Sequence, residues 1–594
     1  MILTFLGLVL ILIPFLLVFR FNNRILGFAY ILGSILTLHL GIAFLTQFFH
    51  VFLYPVIIAI HSIIALITLY ILRYKSPNIS FKLNFNWFAI FSFLIIIFQL
   101  WSVHFFYTGT VSTINDYQTV SSSSYPYPYF SDEWSGVAFS NYSINNNALP
   151  TVNPLIEINK NNNFPNIFIF FFSLISELFL VLNISPLLGY AFFSIAAGFI
   201  ICLLIFILLR VNKVDLFPSL LAALCVPYIV NGLNLPGIWY LLPFIGGSIF
   251  FLLSLITLSI HKHIFALVMS IVSLLLYPPM IIFIAPIFLA YLISEKELKN
   301  ISKIKILLIS LISVVLIIGI IIYSQGNNIN GLFQILTNSI WRLNLDGGIP
   351  AFAIWNIVPI IILPFALVGL IKILKKKNII ILIPTAIGIV LWSFYNYSLY
   401  YFIIDYARVV VMTSFFIMIL AGFGFEETSK KIFKEYSSFF NKNTILLSKL
   451  FIILIFLVLS FYYTDNLTWK SLVLRVTQSN SSYSFTPSAP AGYFLDKDDI
   501  KLFSSISKER FLSPPWKGLV IGVATNNYPL DSKPSIITNR FLNYDNFINE
   551  SCEDKINDSV KYHLKYIYSN QFSCDKFTEI GQSHEGLHLY KFEF

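Results

Sequence analysis

The sequence predicts an all-α polytopic membrane protein of about fourteen transmembrane helices, closed by a small α/β or α+β domain at its C-terminal end. Three observations predict it. Of 594 residues, 57% are hydrophobic and 11% charged, with a mean hydropathy of +0.80; a soluble domain is nearer one quarter charged. Apolar runs of about 20 residues, the length of one bilayer crossing, recur along the chain. Charge is divided unevenly: 24 Lys and Arg face 13 Asp and Glu before Asp465, against 14 and 15 from there on. A soluble enzyme, a fibrous protein and a disordered chain are excluded. Nucleic acid is a poor partner for a basic excess that lies in short loops between apolar runs, where it sets topology.

Residues 1–86 hold runs at 2–19, 25–47 and 51–72. The first lacks a basic start and a small-residue cleavage site, so it reads as a span and not as a cleaved signal. Residues 87–464 hold eleven more, at 87–107, 187–209, 216–235, 237–259, 263–277, 280–293, 305–323, 352–371, 378–394, 406–424 and 448–463. A further run, 165–183, is left out of the count. With it excluded and the N-terminus outside, 21 basic residues fall on the inner side. Only Lys160, Arg342 and Arg408 fall on the outer side before the C-terminal region. Counting 165–183 as a crossing would set the later basic clusters opposite the earlier ones. It therefore reads as a re-entrant or interfacial helix, and Glu177 within it fits, because a carboxylate is costly at mid-bilayer.

Three regions then face outward: the loop 108–164, the segment 324–351 and the region 465–594. The last has strand-like runs at Gly518–Ala524 and Leu587–Phe592, a turn at Asn526–Asn527, and acids Asp496, Asp498 and Asp499 at a helix start. Cys202 and Cys225 lie in apolar runs; Cys552 and Cys574 can pair if this region is outside the cell. Sequons at Asn466, Asn480, Asn549 and Asn557 are compatible with that side.

No P-loop, GxSxG, HExxH or CxxC is present, and the nine histidines show no metal-ligand spacing. The informative segment is the loop after the fourth span. It contains Asp116, then Ser131-Asp132-Glu133-Trp134-Ser135-Gly136-Val137-Ala138, then Leu149-Pro150-Thr151-Val152-Asn153-Pro154. Carboxylates are scarce before residue 465, yet three fall within eighteen residues here. Two readings of them stand: ordinary solvated acids, or a general base or divalent-cation ligand at the membrane surface.

This order of features resembles the GT-C type of integral-membrane glycosyltransferases, in particular the dolichyl- or undecaprenyl-phosphate mannosyltransferase and aminoarabinose transferase group. The resemblance rests on Asp132-Glu133-Trp134, Ala138, Leu149-Pro150, Asn153-Pro154 and the non-spanning helix 165–183. It extends to Tyr277-Pro278-Pro279 at an outer hairpin tip, and to Asp405-Tyr406-Ala407-Arg408 before Ala421-Gly422-Phe423-Gly424. It covers roughly residues 87–594 and leaves 1–86 as an added helical module. It implies sugar transfer from a polyprenyl-phosphate donor to a glycan, lipid or protein acceptor at the outer face of the cell membrane. It also implies a loop carboxylate as general base, a cation for the phosphate, and no nucleotide-binding fold. On that pattern Asp132 is the base, with Asp116 its rival, and Glu133 orients the acceptor or a cation. Arg408 grips the phosphate, anchors at the interface or simply partners Asp405, Arg342 is a second phosphate or lipid-headgroup candidate, and Tyr277 stacks on sugar or is an interfacial aromatic. Tyr125, Tyr127 and Tyr129 stack on sugars or are interfacial aromatics. A divalent cation is the one cofactor left open. The competing function is a transporter or flippase of lipid-linked saccharide, which calls for ionisable residues at mid-membrane and related halves.

Overall fold

The structure is a computed structural model. It describes residues 2–74, 86–104, 107–112, 117–122, 124–157, 166–229, 238–294, 341–343, 358, 360–398, 400–435, 442–464, 493–533 and 537–593. Asp116, the run 305–323 and most of 324–351 lie outside them.

The chain opens with α1 (Ile2–Leu12), which tightens into a 3-10 helix over Ile13–Arg20 at Pro14. Helices α2 (Arg24–Phe48) and α3 (Tyr54–Tyr74) follow; the Asn23 side chain caps α2 by accepting from the Leu26 amide at 3.3 Å. Then come α4 (Trp87–Val103) and an antiparallel hairpin of β1 (Tyr107–Ser112) and β2 (Tyr117–Ser122). The loop continues with α5 (Ser131–Asn146), so its described residues form a hairpin and a helix and not a plain connector. Helices α6 (Ile169–Leu182), α7 (Pro186–Val211), α8 (Leu216–Cys225), α9 (Pro243–Leu258), α10 (His263–Leu276) and α11 (Ile281–Ser294) come next. After β3 (Trp341–Leu343) come α12 (Leu363–Lys376), α13 (Ile379–Ser398), β4 (Tyr400–Phe402), α14 (Tyr406–Glu435) and α15 (Lys442–Thr464).

Among the described residues five helices are long and apolar enough to cross a membrane: Ile2–Arg20, Arg24–Phe48, Tyr54–Tyr74, Pro186–Val211 and Tyr406–Ile432. Seven more are apolar but only 10–17 residues long. Prolines bound several of these shorter helices. The run 216–235 narrows to a 3-10 turn at Val226–Tyr228, and the run 237–259 becomes helical only from Pro243. Pro278–Met280 is a separate 3-10 turn between α10 and α11. A proline lacks the amide a helix interior needs and fits its first turn. The span Tyr406–Ile432 is the central one, buried along almost its whole length against α8, α12 and α13.

The C-terminal region is a mixed α/β unit. Its five strands are β5 (Arg510–Leu512), β6 (Tyr528–Pro529), β7 (Tyr566–Ser569), β8 (Phe577–Gln582) and β9 (His588–Phe592), in the order β6-β5-β7-β9-β8. β5 runs parallel to both its neighbours, and β7, β9 and β8 are antiparallel. Helices α16 (Lys497–Phe503), α17 (Pro515–Thr525), α18 (Tyr544–Asn549) and α19 (Cys552–Tyr562) pack with it. Asp496 caps α16, and Asp499 bonds back to the Asp496 amide at 2.8 Å. The strand expected at Gly518–Ala524 is instead helical. Pro515 starts it, Asn526 ends it in the left-handed region, and a side chain at Gly518 would meet the Asp531 carbonyl at 2.1 Å. Cys552 and Cys574 form a disulfide, while Cys202 and Cys225 are buried thiols.

One apolar core runs from the central helices through α5 into this domain. The Tyr125 hydroxyl donates to the Tyr493 carbonyl and accepts from the Leu495 amide, both at 3.0 Å, and its ring stacks on Phe494. Arg510 pairs with Glu157 at 2.7 Å.

Candidate active site

The start of α5 carries the sequence-predicted acids, and the helix geometry separates them. Successive residues project about 100° apart around a helix. Glu133 turns inward and is fully buried. Its Oε2 accepts from the Tyr129 and Phe130 amides at 3.1 and 3.2 Å, closing the helix N-terminus. Its Oε1 accepts from the Ser194 hydroxyl of α7 at 2.6 Å, and Ser194 in turn accepts from the Leu241 amide at 3.1 Å. One carboxyl thus joins α5, α7 and the segment before α9. Gly136, a turn later, lies against Tyr190 of α7: a Cβ there would sit 2.3 Å from the Tyr190 hydroxyl, which donates to the Leu241 carbonyl at 2.9 Å. Burial pushes the Glu133 carboxyl up to about 7, and the bonds from Ser194 and the backbone only partly oppose it.

With Glu133 locked, Asp132 turns toward the first turn of α14. Its Oδ2 meets Arg408 Nη2 at 3.3 Å; the two side chains are 16% and 19% exposed. Arg408 also pairs with Asp405 at 3.3 Å, and Asp405 Oδ1 accepts from the Arg408 amide at 3.1 Å. One guanidinium therefore stands between a carboxylate three residues away and one from a distant part of the chain. Burial holds the Asp132 carboxyl above its ordinary range, with Arg408 opposing and Asp405 reinforcing. A guanidinium presents five N–H donors, so these two partners leave others for an oxyanion.

Tyr277 is buried, stacks on Phe168 at 5.8 Å and meets Phe244 edge-on at 5.6 Å. It lies within electrostatic reach of Asp405, Arg408 and Asp132. The Tyr395 hydroxyl donates to the Ile404 carbonyl at 2.9 Å and fixes the turn before Asp405. Arg342 lies on β3, whose backbone pairs with β4 so that Arg342 is opposite Tyr401.

Three sequence expectations change. Asp132 and Glu133 do not form a joint cation site, because they face apart and the Glu133 oxygens are taken by Tyr129, Phe130 and Ser194. Tyr125, Tyr127 and Tyr129 are neither sugar platforms nor interfacial aromatics: all three are buried, and Tyr125 meets both others edge to face. The cost of a carboxylate at Glu177 no longer argues for a non-crossing helix, because the side chain is fully buried against two histidines. Sequence reasoning missed Ser194, which is one serine among many in apolar helices. It also missed Tyr493, which hydrogen-bonds Ser131 and is pushed up to about 12 by burial.

No known protein family matches the chain, and no curated protein matches it. Among solved structures it is similar to the archaeal oligosaccharyltransferase AglB from Archaeoglobus fulgidus in complex with an inhibitory peptide and a dolichol-phosphate. The identity is 12%, the match covers 82% of this chain and 70% of that one, and the TM-score is 0.45. It is also similar to the Archaeoglobus fulgidus oligosaccharyltransferase in the apo form, at 14% identity, 81% and 69% coverage and a TM-score of 0.45.

Proposed function

We propose that the chain is an integral-membrane glycosyltransferase that moves a sugar from a polyprenyl-phosphate donor to a glycan, lipid or protein acceptor at the outer membrane face. On this reading residues 87–464 are the catalytic membrane core, 1–86 an added helical module and 465–594 an extracytoplasmic domain. The observation that carries it is the contact of Asp132 with Arg408: a carboxylate of raised proton affinity beside a fixed guanidinium, at the end of the central helix.

Asp132 takes the proton from the acceptor hydroxyl as its oxygen attacks the anomeric carbon. The bond from that carbon to the phosphate oxygen breaks, and the lipid phosphate leaves with the electron pair. Arg408 meets the charge gathering on that phosphate. Asp405 holds Arg408 in place, and Glu133 holds the helix that presents Asp132. Tyr277 walls the site, and Arg342 is a further phosphate contact from β3.

The test is transfer of labelled sugar from polyprenyl-phosphate donors by the purified full chain. Asp132→Asn is expected to lower turnover by roughly 10²–10⁴-fold with donor binding kept, and Arg408→Ala to weaken donor binding as well. If Asp116→Asn abolishes transfer while Asp132→Asn keeps it, the base is Asp116. A wild-type chain that binds donor lipid but transfers no sugar to a broad acceptor panel overturns the reading, and lipid flipping across vesicles becomes the assay.

A further inference from the structure

The N-terminal helices have a centre of their own. His39 of α2, His61 of α3 and Glu177 of α6 converge in the interior, and all three are buried. His39 Nδ1 lies 2.7 Å from Glu177 Oε2, and His61 Nε2 lies 2.5 Å from Glu177 Oε1. The two imidazoles lie nearly parallel with ring centres 4.6 Å apart. The three donor atoms fall within 4.8 Å of one another. One turn earlier on α6, Ser173 Oγ is fully buried without a hydrogen-bond partner among the described residues. The same holds for Oε1 of Gln47, whose amide donates to the Ser173 carbonyl at 3.2 Å. The neighbourhood is thus polar at a depth where the surrounding helices are apolar.

We infer that His39, His61 and Glu177 form a binding site for a divalent first-row transition metal of the zinc class, which ties helices α2 and α3 to α6. Two imidazoles and one carboxylate make a borderline donor set of the kind Zn²⁺ takes at roughly 2.0–2.2 Å. Calcium and magnesium call for six or more oxygen ligands and do not fit it. Each ring nitrogen already aims at one carboxylate oxygen, so small side-chain rotations open the centre to an ion. The set leaves a fourth position for water. Metal binding lowers the pKa of such a water to about 7. A bound hydroxide together with the Glu177 carboxylate then balances the two charges of the ion, which a buried centre requires.

The consequence is mechanical. Residues 1–86 are joined to α6 by a centre whose three ligands come from three helices, and α6 packs on α5 through Phe172 and Phe139, 4.5 Å between ring centres. The ion would fix the added helices to the element that carries Asp132 and Glu133. This inference does not depend on the glycosyltransferase reading.

The test uses the full chain purified in detergent without chelator. Elemental analysis is expected to find about one Zn²⁺ per chain, lost in His61→Gln and in Glu177→Gln. Chelated wild type loaded with Co²⁺ is expected to show visible d–d bands, and Zn²⁺ added to the chelated chain should raise its melting temperature. Loss of one ligand should weaken Co²⁺ binding by more than the ~10–100-fold that a lost hydrogen-bond partner of a ligand costs. If the variants fail to fold, the chelated wild type still decides. A chelated wild type that takes up no Co²⁺, with a melting temperature indifferent to Zn²⁺, overturns the inference, as does Co²⁺ binding unchanged in His61→Gln. Either result leaves a hydrogen-bonded histidine–glutamate cluster in its place.

Discussion

Replacing Glu133 tests the frame of the candidate site most sharply. Glu133→Ala removes the acceptor for three donors at once: the Tyr129 amide, the Phe130 amide and the Ser194 hydroxyl. Leaving a buried donor unsatisfied costs about 1–3 kcal/mol each, and the two amides also lose their helix cap. Partial relaxation brings the sum to roughly 3–5 kcal/mol, a range that breaking a buried network reaches. Glu133→Gln keeps an acceptor for the backbone amides, and its NH₂ can donate to Ser194, so it should fold nearly as well as wild type. Their pH dependences should differ. The Glu133 carboxyl rises from 4.5 to about 7 on folding. Between those values the folded chain keeps a proton that the unfolded chain has released, so stability falls as pH rises through that window. Below 4.5 both forms are protonated and the wild type is at its best; above about 7 the penalty, at most about 3 kcal/mol, is complete. Glutamine does not titrate. Melting curves of the three proteins in one detergent, from pH 4 to pH 8, provide the assay. The expected result is an alanine variant that melts several degrees low at every pH. The glutamine variant should gain on wild type as pH rises. Parallel curves for wild type and Glu133→Gln would refute the titration argument, and an alanine variant that melts with wild type would refute the network argument.

Three further outcomes follow from other contacts. Asp405→Asn weakens one of the two anchors of Arg408, so donor KM should rise more than kcat falls, with Asp132 still in place; the steady-state split measures it. Gly136→Ala drives a methyl group into the Tyr190 ring and hydroxyl and should displace α5 from α7, lowering melting temperature and transfer together; the same change in a Tyr190→Ala background should cost less of both. Reduction of the Cys552–Cys574 disulfide, which closes a loop of 22 residues, should destabilise the C-terminal domain by about 3 kcal/mol, seen as a lower melting step in reductant that Cys574→Ser reproduces.

What the sequence made legible was whatever depends on near neighbours. Hydropathy marked the apolar runs, the cap at Asp496 was readable from acids three residues apart, and the Asp132-Glu133 pair stood out by scarcity. What it hid depends on distant partners or on helix ends. Run length did not show where Pro227, Pro243 and Pro278 set the ends of helices. Glu133 looked like a surface acid because Ser194, its partner, is 61 residues away in the chain. Glu177 looked like a misfit in an apolar run because His39 and His61 lie 138 and 116 residues upstream. Gly518–Ala524 has strand-like composition; Pro515 and Asn526 bound it as a helix, and the glycine at 518 leaves room for the Asp531 carbonyl.

The electrostatics of the Asp132–Arg408–Asp405 group give the proposed reaction its order. Two carboxylates on one guanidinium leave the group with a net negative charge when both are ionised. A phosphate diester brings a further negative charge, so it binds best against the Arg408 donors that neither carboxylate uses, and its approach raises the proton affinity of Asp132 further. Transfer then removes the conflict it begins with. As the acceptor proton reaches Asp132, that side chain stops competing for Arg408, at the same moment that the departing phosphate gains charge. The guanidinium is released from one partner just when the other needs it. Asp405, which receives no proton, keeps its hold throughout, and this asymmetry is why Asp132→Asn should reduce the chemical step and Asp405→Asn should show chiefly in donor affinity.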